Sequence, residues 1–355
     1  MAYPIFVEAI VGWYQLHKRD LPWRNTNDPY QIWLSEIILQ QTRVIQGKPY
    51  YEKFVSAYPT VKDLAQAPED EVLRLWQGLG YYSRARNLHA TAKYITYECN
   101  EQFPTTYEAL LKLKGVGKYT AAAIASFAFK EPVAVLDGNV FRVLARYFGI
   151  ETDISSPKGS KVFGELSQSL IPQDIPDSYN QAIMEFGALQ CTPQKPNCMY
   201  CPLAEGCEAF RTGRQAVLPV KQKKIKVKKR YIRYYLFNHK ENFLLKKRSK
   251  DDIWGGLYDF YAVEATSAEN LQKAIAQEDF LQQQKNNLLF RKESKQYTHI
   301  LTHQKLYVVF QAVEVVDREY FEQEVPSQYT FFSWTAVSDL PKPILIAKYL
   351  NNYQL

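Results

Sequence analysis

Two acidic residues lie in surroundings that would tune a carboxyl group for chemistry. Glu36 lies in the segment WLSEIIL, and its neighbours one helical turn away are mostly apolar. Burial raises the pKa of a carboxyl group, so a Glu in such a place is suited to donate a proton near neutral pH. The alternative is a Glu at the margin of its helix, with its carboxylate in solvent.

The second acidic residue is Asp137, which follows the apolar run VAVL and precedes Gly138 and Asn139. One interpretation is a helix cap, the ordinary role of an Asp just before a helix. The other is an ionised carboxylate that stabilises positive charge on a reacting sugar. Two carboxyl groups in opposite protonation states are typical of enzymes that cleave a bond at an anomeric carbon.

Four of the five cysteines are clustered in the pattern C-x6-C-x2-C-x5-C. Soft thiolates at this density hold zinc or cap an iron–sulfur cubane more often than they remain buried thiols without metal. Structural zinc sites usually combine two C-x2-C pairs, and this segment contains one, so the residues favour iron–sulfur only modestly. The predicted metal ligands are Cys191, Cys198, Cys201 and Cys207.

A glycine-rich turn, LKGVGKYT at 113–120, lies between two predicted helices. Gly115 and Gly117 permit a tight turn in which backbone N–H groups converge ahead of the next helix, and such a turn binds phosphate without side-chain specificity. An ordinary connecting turn is the alternative. The flanking apolar residues and the Ala-rich segment that follows favour a helix–hairpin–helix module on a DNA backbone, with Lys118 beside it.

Length and charge limit the class of protein. The 355 residues suit two domains, and 46% hydrophobic with 23% charged residues is ordinary for a globular chain. The net charge of +7 resides in 221–230, which holds six Lys and one Arg; the other 37 basic residues equal the 37 acidic ones. This allows a nucleic-acid partner. Neither a membrane span nor a secretory signal is recognisable, so we expect a cytosolic protein.

The elements that must position these residues change in type along the chain. Helical periodicity and capping residues predict helices from Pro29 through Val44 and over 63–77, 107–113 and 120–129. Residues rich in Val, Phe and Tyr predict strands over 231–236, 242–247, 307–316 and 329–334, with a helix over 270–277. We therefore predict a helical domain (1–220), a basic linker (221–230) and an α+β domain (231–355).

The motifs together resemble the adenine DNA glycosylase (MutY) family of helix–hairpin–helix DNA repair enzymes. The segments that carry the resemblance are LPWR at 21–24, WLSEIILQQT at 33–42, GLGYYSRARNLH at 78–89, LKGVGKYTAAAI at 113–124, LDGNVFRVLAR at 136–146, the four-cysteine segment, and WGGLYDF at 254–260. The resemblance implies a helix–hairpin–helix domain with an iron–sulfur cluster, followed by a Nudix-like domain. The four cysteines match the ligands of the family's 4Fe-4S cluster.

The implied reaction is base excision repair, the hydrolysis of the N-glycosidic bond of adenine paired with 8-oxoguanine or guanine in duplex DNA. Glu36 matches the general acid that protonates N7 of the flipped adenine. Asp137 matches the carboxylate that stabilises the oxocarbenium ion, and Tyr119 and Asn139 match the groups that support these two. We expect a monomer that acts on DNA and binds no membrane.

The resemblance also implies binding residues. Trp23, Arg24 and Leu39 would line the adenine pocket, while Gln41 and Tyr81 would enter the base stack around 8-oxoguanine. Without the resemblance, Gln41 would be an ordinary polar helix residue and Tyr81 a packed aromatic residue.

One position separates two activities of the superfamily. Strand-cleaving members such as endonuclease III have a Lys where this chain has Tyr119, and that Lys forms a Schiff base. A phenol forms no imine, so we predict a monofunctional glycosylase. A glycosylase/lyase on oxidised pyrimidines and a non-enzymatic binder of damaged DNA are the alternatives; Glu36 argues against both.

Residues 231–355 resemble the family's Nudix-like domain, which recognises 8-oxoguanine. The catalytic box of Nudix hydrolases is missing after Gly256, so we predict a sensor. The family has Phe-Ser-His where this chain has Leu301, Thr302 and His303. The hydroxyl and the imidazole remain, but the loss of the aromatic ring puts discrimination against guanine in question. A zinc site at His299 and His303 is a weaker alternative because no further ligand lies close in sequence.

Overall fold

The computed structural model describes residues 4–222, 227–249 and 252–353. The chain divides into two compact units, Met1–Gln66 with Asn87–Lys223, and Ala67–Arg86 with Lys224–Leu355. No sequence pattern indicated that 67–86 would group with the C-terminal unit. Residues 223–226 of the predicted linker lie outside the described residues, so the domain boundaries at 220 and 231 stay a prediction.

The N-terminal part of the chain is helical, as predicted. Its α-helices are α1 (Pro4–His17), α2 (Pro29–Leu39), α3 (Val44–Ala57), α4 (Val61–Gln66), α5 (Glu69–Leu75), α6 (Ser83–Glu98), α7 (Tyr107–Leu110), α8 (Lys118–Phe129), α9 (Gly138–Phe148), α10 (Pro157–Leu170), α11 (Pro176–Leu189) and α12 (Glu208–Arg211). Short 3₁₀ turns form at Pro22–Arg24 and Cys198–Tyr200. No helix in the described ranges is long and apolar enough to cross a membrane.

Three predicted helices extend too far. The helix predicted through Val44 ends at Leu39, because Gln41 takes a left-handed backbone with φ of 54° and α3 starts afresh after Arg43. The helix predicted over 63–77 is interrupted at Pro68, which lacks the N–H that a continuous helix requires. The helix predicted over 107–113 ends at Leu110 because the glycine turn follows.

Helix starts in the first unit use the expected caps. The Asp28 carboxylate accepts the N–H of Tyr30 and Pro29 occupies the first position of α2, and Ser156 caps α10 in the same way. Helix α11 packs against α1, α8 and α9, and α2 packs against α8. The buried core at these contacts contains Phe6, Ile10, Trp13, Ala123, Leu144 and Phe186.

The second unit is an α+β unit built on one mixed sheet of eight strands. The described strands are β1 (Lys228–His239), β2 (Asn242–Lys247), β3 (Tyr258–Asp259), β4 (Tyr261–Ala265), β5 (Leu288–Glu293), β6 (Tyr297–Ile300), β7 (Gln304–Val315) and β8 (Tyr329–Ser333). The order β3-β2-β1-β7-β5 forms the main path, with β4 on β1, β6 on β7 and β8 on β2. Strand β1 starts at Lys228, inside the predicted linker.

The central pair of the sheet is parallel. Strand β1 pairs with β7 from Lys228 opposite Gln304 to Asn238 opposite Glu314, whereas the other pairs are antiparallel. The remaining helices are α13 (Ala268–Ala276), α14 (Asp279–Gln283), α15 (Arg318–Glu324), α16 (Trp334–Asp339) and α17 (Ile344–Leu350). One face of the sheet buries a core that includes Phe237, Leu244, Phe280 and Phe321.

Candidate active site

A cleft of about 590 Å³ opens in the helical unit. It is lined by every residue that the sequence analysis assigned to catalysis or to the adenine pocket, namely Trp23, Arg24, Glu36, Leu39, Tyr119, Asp137 and Asn139. These side chains come from the 22–24 turn, α2, and the starts of α8 and α9. Only the packing of these helices brings them together.

Glu36 lies on the buried face of α2. Its side chain is 5% exposed, so it does not lie at a solvent-exposed helix margin. Burial raises the pKa of Glu36 to about 7; the nearby Asp137 carboxylate acts in the same direction, while a hydrogen bond with Tyr119 and the charge of Arg24 oppose it. The carboxyl group can therefore hold a proton near neutral pH.

Asp137 is both the cap of α9 and a wall of the cleft. Its carboxylate accepts the backbone N–H of Asn139 at 2.8 Å and of Val140 at 2.7 Å, and the Asn139 side-chain amide donates at 2.8 Å. Burial raises the pKa of Asp137, and these three donors oppose that rise. The cap interpretation is confirmed, and because Asp137 also lines the cleft, its predicted role at a reacting sugar stays a prediction.

Tyr119 lies in the first turn of α8 and interacts with both carboxyl groups. Burial raises the pKa of its phenol well above the usual value, and the charges of Glu36 and Asp137 add to that effect. The phenol therefore stays neutral and can act as a hydrogen-bond donor to Glu36. The adjacent Lys118 is exposed and is not among the described residues that line the cleft.

Glu185 on α11 is a cleft residue that the sequence analysis missed. It is 1% exposed, and its carboxylate accepts hydrogen bonds from both Arg19 and Arg24 at 2.6–3.0 Å. Although burial alone would raise the pKa of Glu185, the two guanidinium groups outweigh it and lower the pKa to about 2. The available signal was Glu185 next to the apolar residues Met184 and Phe186.

Arg142 on α9 was also missed. Its guanidinium donates to the Asn139 side-chain oxygen at 2.8 Å and to the backbone carbonyls of Gly187 and Cys191 at 2.7 Å each. One side chain thus joins the capping turn of Asp137 to the start of the cysteine segment. Arg142 is 8% exposed, so these interactions lie away from bulk solvent.

The glycine turn is exposed, and its first glycine takes a left-handed backbone. Gly115 has φ of 79°, and a Cβ there would lie 2.7 Å from the Cβ of Asn87, so both the backbone and the close approach require glycine. Gly117 is the N-cap of α8 and supplies no capping side chain. Both glycines and Lys118 are exposed, so the first N–H groups of α8 are accessible to an anion.

The four clustered cysteines are reduced, partly buried and close enough to influence one another's ionisation. Burial raises the pKa of Cys201 to about 11, and the other three thiols reinforce that rise. Arg146 donates to the Cys191 sulfur at 3.4 Å and supplies a positive charge beside the group. Across the described ranges no three Cys, His, Asp or Glu residues are arranged tightly enough to hold a single metal ion.

A second cleft, of about 430 Å³, lies in the C-terminal unit. Tyr81 and the predicted reading residues Leu301, Thr302 and His303 line it, together with Trp254. The hydroxyl groups of Tyr81 and Thr302 are hydrogen-bonded to each other, so two separately predicted residues meet. Gln41 lies in the helical unit, where it is exposed in the turn after α2.

Comparison with known proteins agrees with this architecture. Residues 34–170 match the family described as HhH-GPD superfamily base excision DNA repair protein, and residues 233–352 match the NUDIX domain. Among solved structures, a thermostable thymine-DNA glycosylase is similar with a TM-score of 0.55 and 33% identity, over 59% of this chain and 96% of that one. An endonuclease III–DNA complex shares the fold at a TM-score of 0.51 and 22% identity, over 59% and 94%.

The similarity to adenine DNA glycosylases extends through both units. The adenine DNA glycosylase of Buchnera aphidicola subsp. Schizaphis graminum is 34% identical over 86% of this chain and 86% of its own length. A match of this length runs from the helical unit into the sheet unit. By sequence and by fold, this chain belongs to the adenine DNA glycosylase family, within the HhH-GPD superfamily of base excision DNA repair proteins.

Proposed function

We propose that the protein is a monofunctional DNA glycosylase that hydrolyses the N-glycosidic bond of adenine mispaired with 8-oxoguanine or guanine. The observation that carries the proposal is the protonatable Glu36, whose pKa is raised to about 7 by burial, in one cleft with Asp137 and Tyr119. Family membership supports adenine as the base that is removed. The pair formed by a protonatable Glu36 and the Asp137 carboxylate supports cleavage of a glycosidic bond.

In the proposed reaction, the adenine leaves the stack and enters the cleft, which costs a few kcal/mol and less at a mispair. Glu36 donates its proton to N7 as the bond between the sugar and the base breaks, and the bonding electron pair leaves with the adenine. A carboxylate oxygen of Asp137, which Asn139 holds, stabilises the positive charge left on the sugar by forming a transient bond to the sugar carbon. Water then attacks that carbon and loses a proton, the bond to Asp137 breaks with its electron pair returning to the carboxylate, and the products are adenine and an abasic site.

The base would lie among Trp23, Arg24 and Leu39. Trp23 and Leu39 supply apolar surface, and the bidentate pair with Glu185 fixes the Arg24 guanidinium at the wall of the cleft. A fixed guanidinium loses little conformational entropy when it donates to a base. The pocket is therefore pre-arranged for a planar ring with acceptor atoms.

The absence of a lysine at Tyr119 supports the monofunctional assignment. A Schiff base needs an amine at the reacting carbon, and the residue next to both carboxyl groups here is a neutral phenol. Lys118 is the nearest amine in sequence, and its side chain is exposed.

The remaining predicted residues would bind the duplex. Gly115, Gly117 and Lys118 would bind a backbone phosphate at the start of α8. Gln41 and Tyr81 would enter the base stack, and Leu301, Thr302 and His303 would read the modified guanine. Leu301 supplies apolar contact but no ring stacking, so we expect weaker discrimination against guanine than an aromatic residue would give. We propose a monomer, which sedimentation at micromolar concentration would test.

Cys191, Cys198, Cys201 and Cys207 would hold a 4Fe-4S cluster. Four thiols that influence one another's ionisation, with the Arg146 cation beside them, are the donor set that suits such an anionic cluster. When bound, the cluster would cross-link the loop between α11 and α12 and supply no step of the hydrolysis. Purified protein should contain iron and acid-labile sulfide; zinc without sulfide would contradict the assignment.

Single-turnover release of adenine from a duplex with an 8-oxoguanine:adenine pair tests the function, with guanine:adenine and guanine:thymine duplexes beside it. We expect adenine release that requires alkali to reveal a strand break, and a loss of about 100-fold or more in Glu36→Gln. Glu165→Gln, an exposed carboxylate on α10, is the matched control and should behave as wild type.

Three outcomes would contradict the proposal. Strand breakage without alkali would indicate a lyase. Release of thymine in preference to adenine would indicate a thymine-DNA glycosylase instead of an adenine DNA glycosylase. Binding without release of any base would leave a damage sensor.

A further inference from the structure

The turn that carries Tyr81 has an unusual backbone. Gly78, Gly80 and Tyr81 all have positive φ, at 107°, 74° and 49°. A tyrosine disfavours the left-handed region because its Cβ crowds the backbone there. The surrounding structure must therefore hold Tyr81 in place.

Arg84, in the first turn of α6, makes the interactions that hold this turn. Its Nη2 donates to the carbonyls of Gly80 at 3.2 Å and Leu79 at 3.4 Å, and its backbone N–H donates to the carbonyl of Tyr81 at 2.9 Å. The indole of Trp76 donates to the same Gly80 carbonyl at 3.0 Å. Two side chains thus fix one peptide unit immediately before Tyr81.

The guanidinium of Arg84 also contacts two aromatic rings. Its centre lies 5.0 Å from the ring of Trp76 and 5.7 Å from the ring of Tyr81, within the range of a cation–π interaction. Burial lowers the pKa of Arg84 to about 10, which leaves the cation intact at neutral pH. The Tyr81 ring is therefore held by Arg84, and its hydroxyl by Thr302.

We infer that Arg84 is a positioning residue for lesion recognition, which acts by holding Tyr81 in the left-handed, stack-entering conformation at the second cleft. The inference rests on the proposed function of that cleft. Lysine could not replace Arg84 fully, because the interaction uses a planar cation that stacks on two rings and donates to two carbonyls at once. Tyr81 itself is 41% exposed, so it remains free to contact DNA on its open side.

A double-mutant cycle between Arg84→Met and Tyr81→Leu tests this. Both duplexes contain a non-hydrolysable 2′-fluoro-2′-deoxyadenosine, opposite guanine in one and opposite 8-oxoguanine in the other. The measured quantity is the Kd for the guanine duplex divided by the Kd for the 8-oxoguanine duplex. Each single variant should lower this ratio about tenfold, and the double variant should lower it no further. Arg84→Lys should restore only part of the ratio, and Lys93→Met, an exposed residue on α6, should behave as wild type.

Additive losses in the double variant would overturn the inference, because they would mean that Arg84 acts independently of Tyr81. A wild-type protein that binds both duplexes equally would overturn the lesion-reading function and the inference with it.

Trp76→Phe keeps an aromatic ring but removes the donor to the Gly80 carbonyl, so it should show a smaller loss that is again coupled to Tyr81. Thermal unfolding of each variant separates these effects from loss of the fold.

Discussion

At the scale of single residues, two buried carboxyl groups of one cleft have very different pKa values. Glu36 is buried with one phenol as a partner, and its pKa is raised to about 7. Glu185 is equally buried, but two guanidinium groups lower its pKa to about 2. The same side chain is thus protonatable at one position and permanently charged at another, because the number of cationic partners differs.

The raised pKa of Glu36 predicts how stability changes with pH. In the unfolded chain this carboxyl group ionises with a pKa of 4.5, and in the folded protein with a pKa of about 7. The folded state therefore holds a proton that the unfolded state has released, and stability falls as pH rises through this window. Glu36→Gln cannot ionise and should be more stable than wild type at pH 8, by up to about 3 kcal/mol.

Thermal unfolding of the two proteins at pH 4 and pH 8 checks this prediction. The difference in free energy of unfolding should be small at pH 4, where both folded proteins are neutral at this position. An equal difference at both pH values would show that Glu36 has an ordinary pKa, and would remove the physical basis for its role as an acid.

At the scale of elements, the site depends on how closely α11 approaches the start of α9. A Cβ at Gly187 would lie 2.7 Å from the Cβ of Asn139 and 3.0 Å from its carbonyl oxygen. Arg142 spans the same contact through its bond to the Gly187 carbonyl. The geometry of Asp137 is thus set by two helices and not by its own turn alone.

Gly187→Ala should displace the start of α9 and with it Asp137. We expect a loss of about 1–3 kcal/mol in stability from overpacking, and at least a tenfold fall in the single-turnover rate. Gly164→Ala on α10 is the control, because a Cβ added at Gly164 would meet nothing within 4 Å. That change should stabilise the helix by about 0.5–1 kcal/mol. A Gly187→Ala variant with normal rate would show that the contact tolerates a methyl group.

At the scale of the whole molecule, the basic excess of the chain is concentrated in one segment. Residues 221–230 hold seven of the 44 basic residues, and the rest of the chain is balanced. In the described part of that segment, Lys228 and Lys229 are exposed at the start of β1. The backbone N–H of Lys228 donates to the carbonyl of His303, so these lysines adjoin the predicted reading residues.

If these two lysines bind phosphates, their charges should appear in the salt dependence of duplex binding. Lys228→Gln with Lys229→Gln should reduce the slope of log K against log salt by nearly two, irrespective of the base pair. Lys273→Gln on α13, whose ammonium pairs with Glu269, should leave the slope unchanged. An unaltered slope in the double variant would show that Lys228 and Lys229 bind no phosphate and that this end of the segment is a solvent-exposed linker.

Most element types followed from local sequence. Periodicity and caps predicted the helical character of the first unit and the positions of some of its helices. Residue type predicted β2, β8, most of β7 and half of β1, because these signals act within a few residues. The errors lie at helix ends, where Pro68 and the left-handed Gln41 interrupt an otherwise helical pattern. The weakly patterned strands β3–β6 were not predicted, since short strands depend on partners distant in sequence.

The motifs of the chain were enough to establish its family, and with it the fold class and the type of reaction. The cysteine spacing and the concentration of positive charge could also be read directly from the residues. The burial of Glu36, the pairing of Glu185 with two arginines, and the meeting of Tyr81 with Thr302 became known only from the folded chain. A pKa depends on the solvent and charges that surround a group in three dimensions, and those neighbours come from distant parts of the chain.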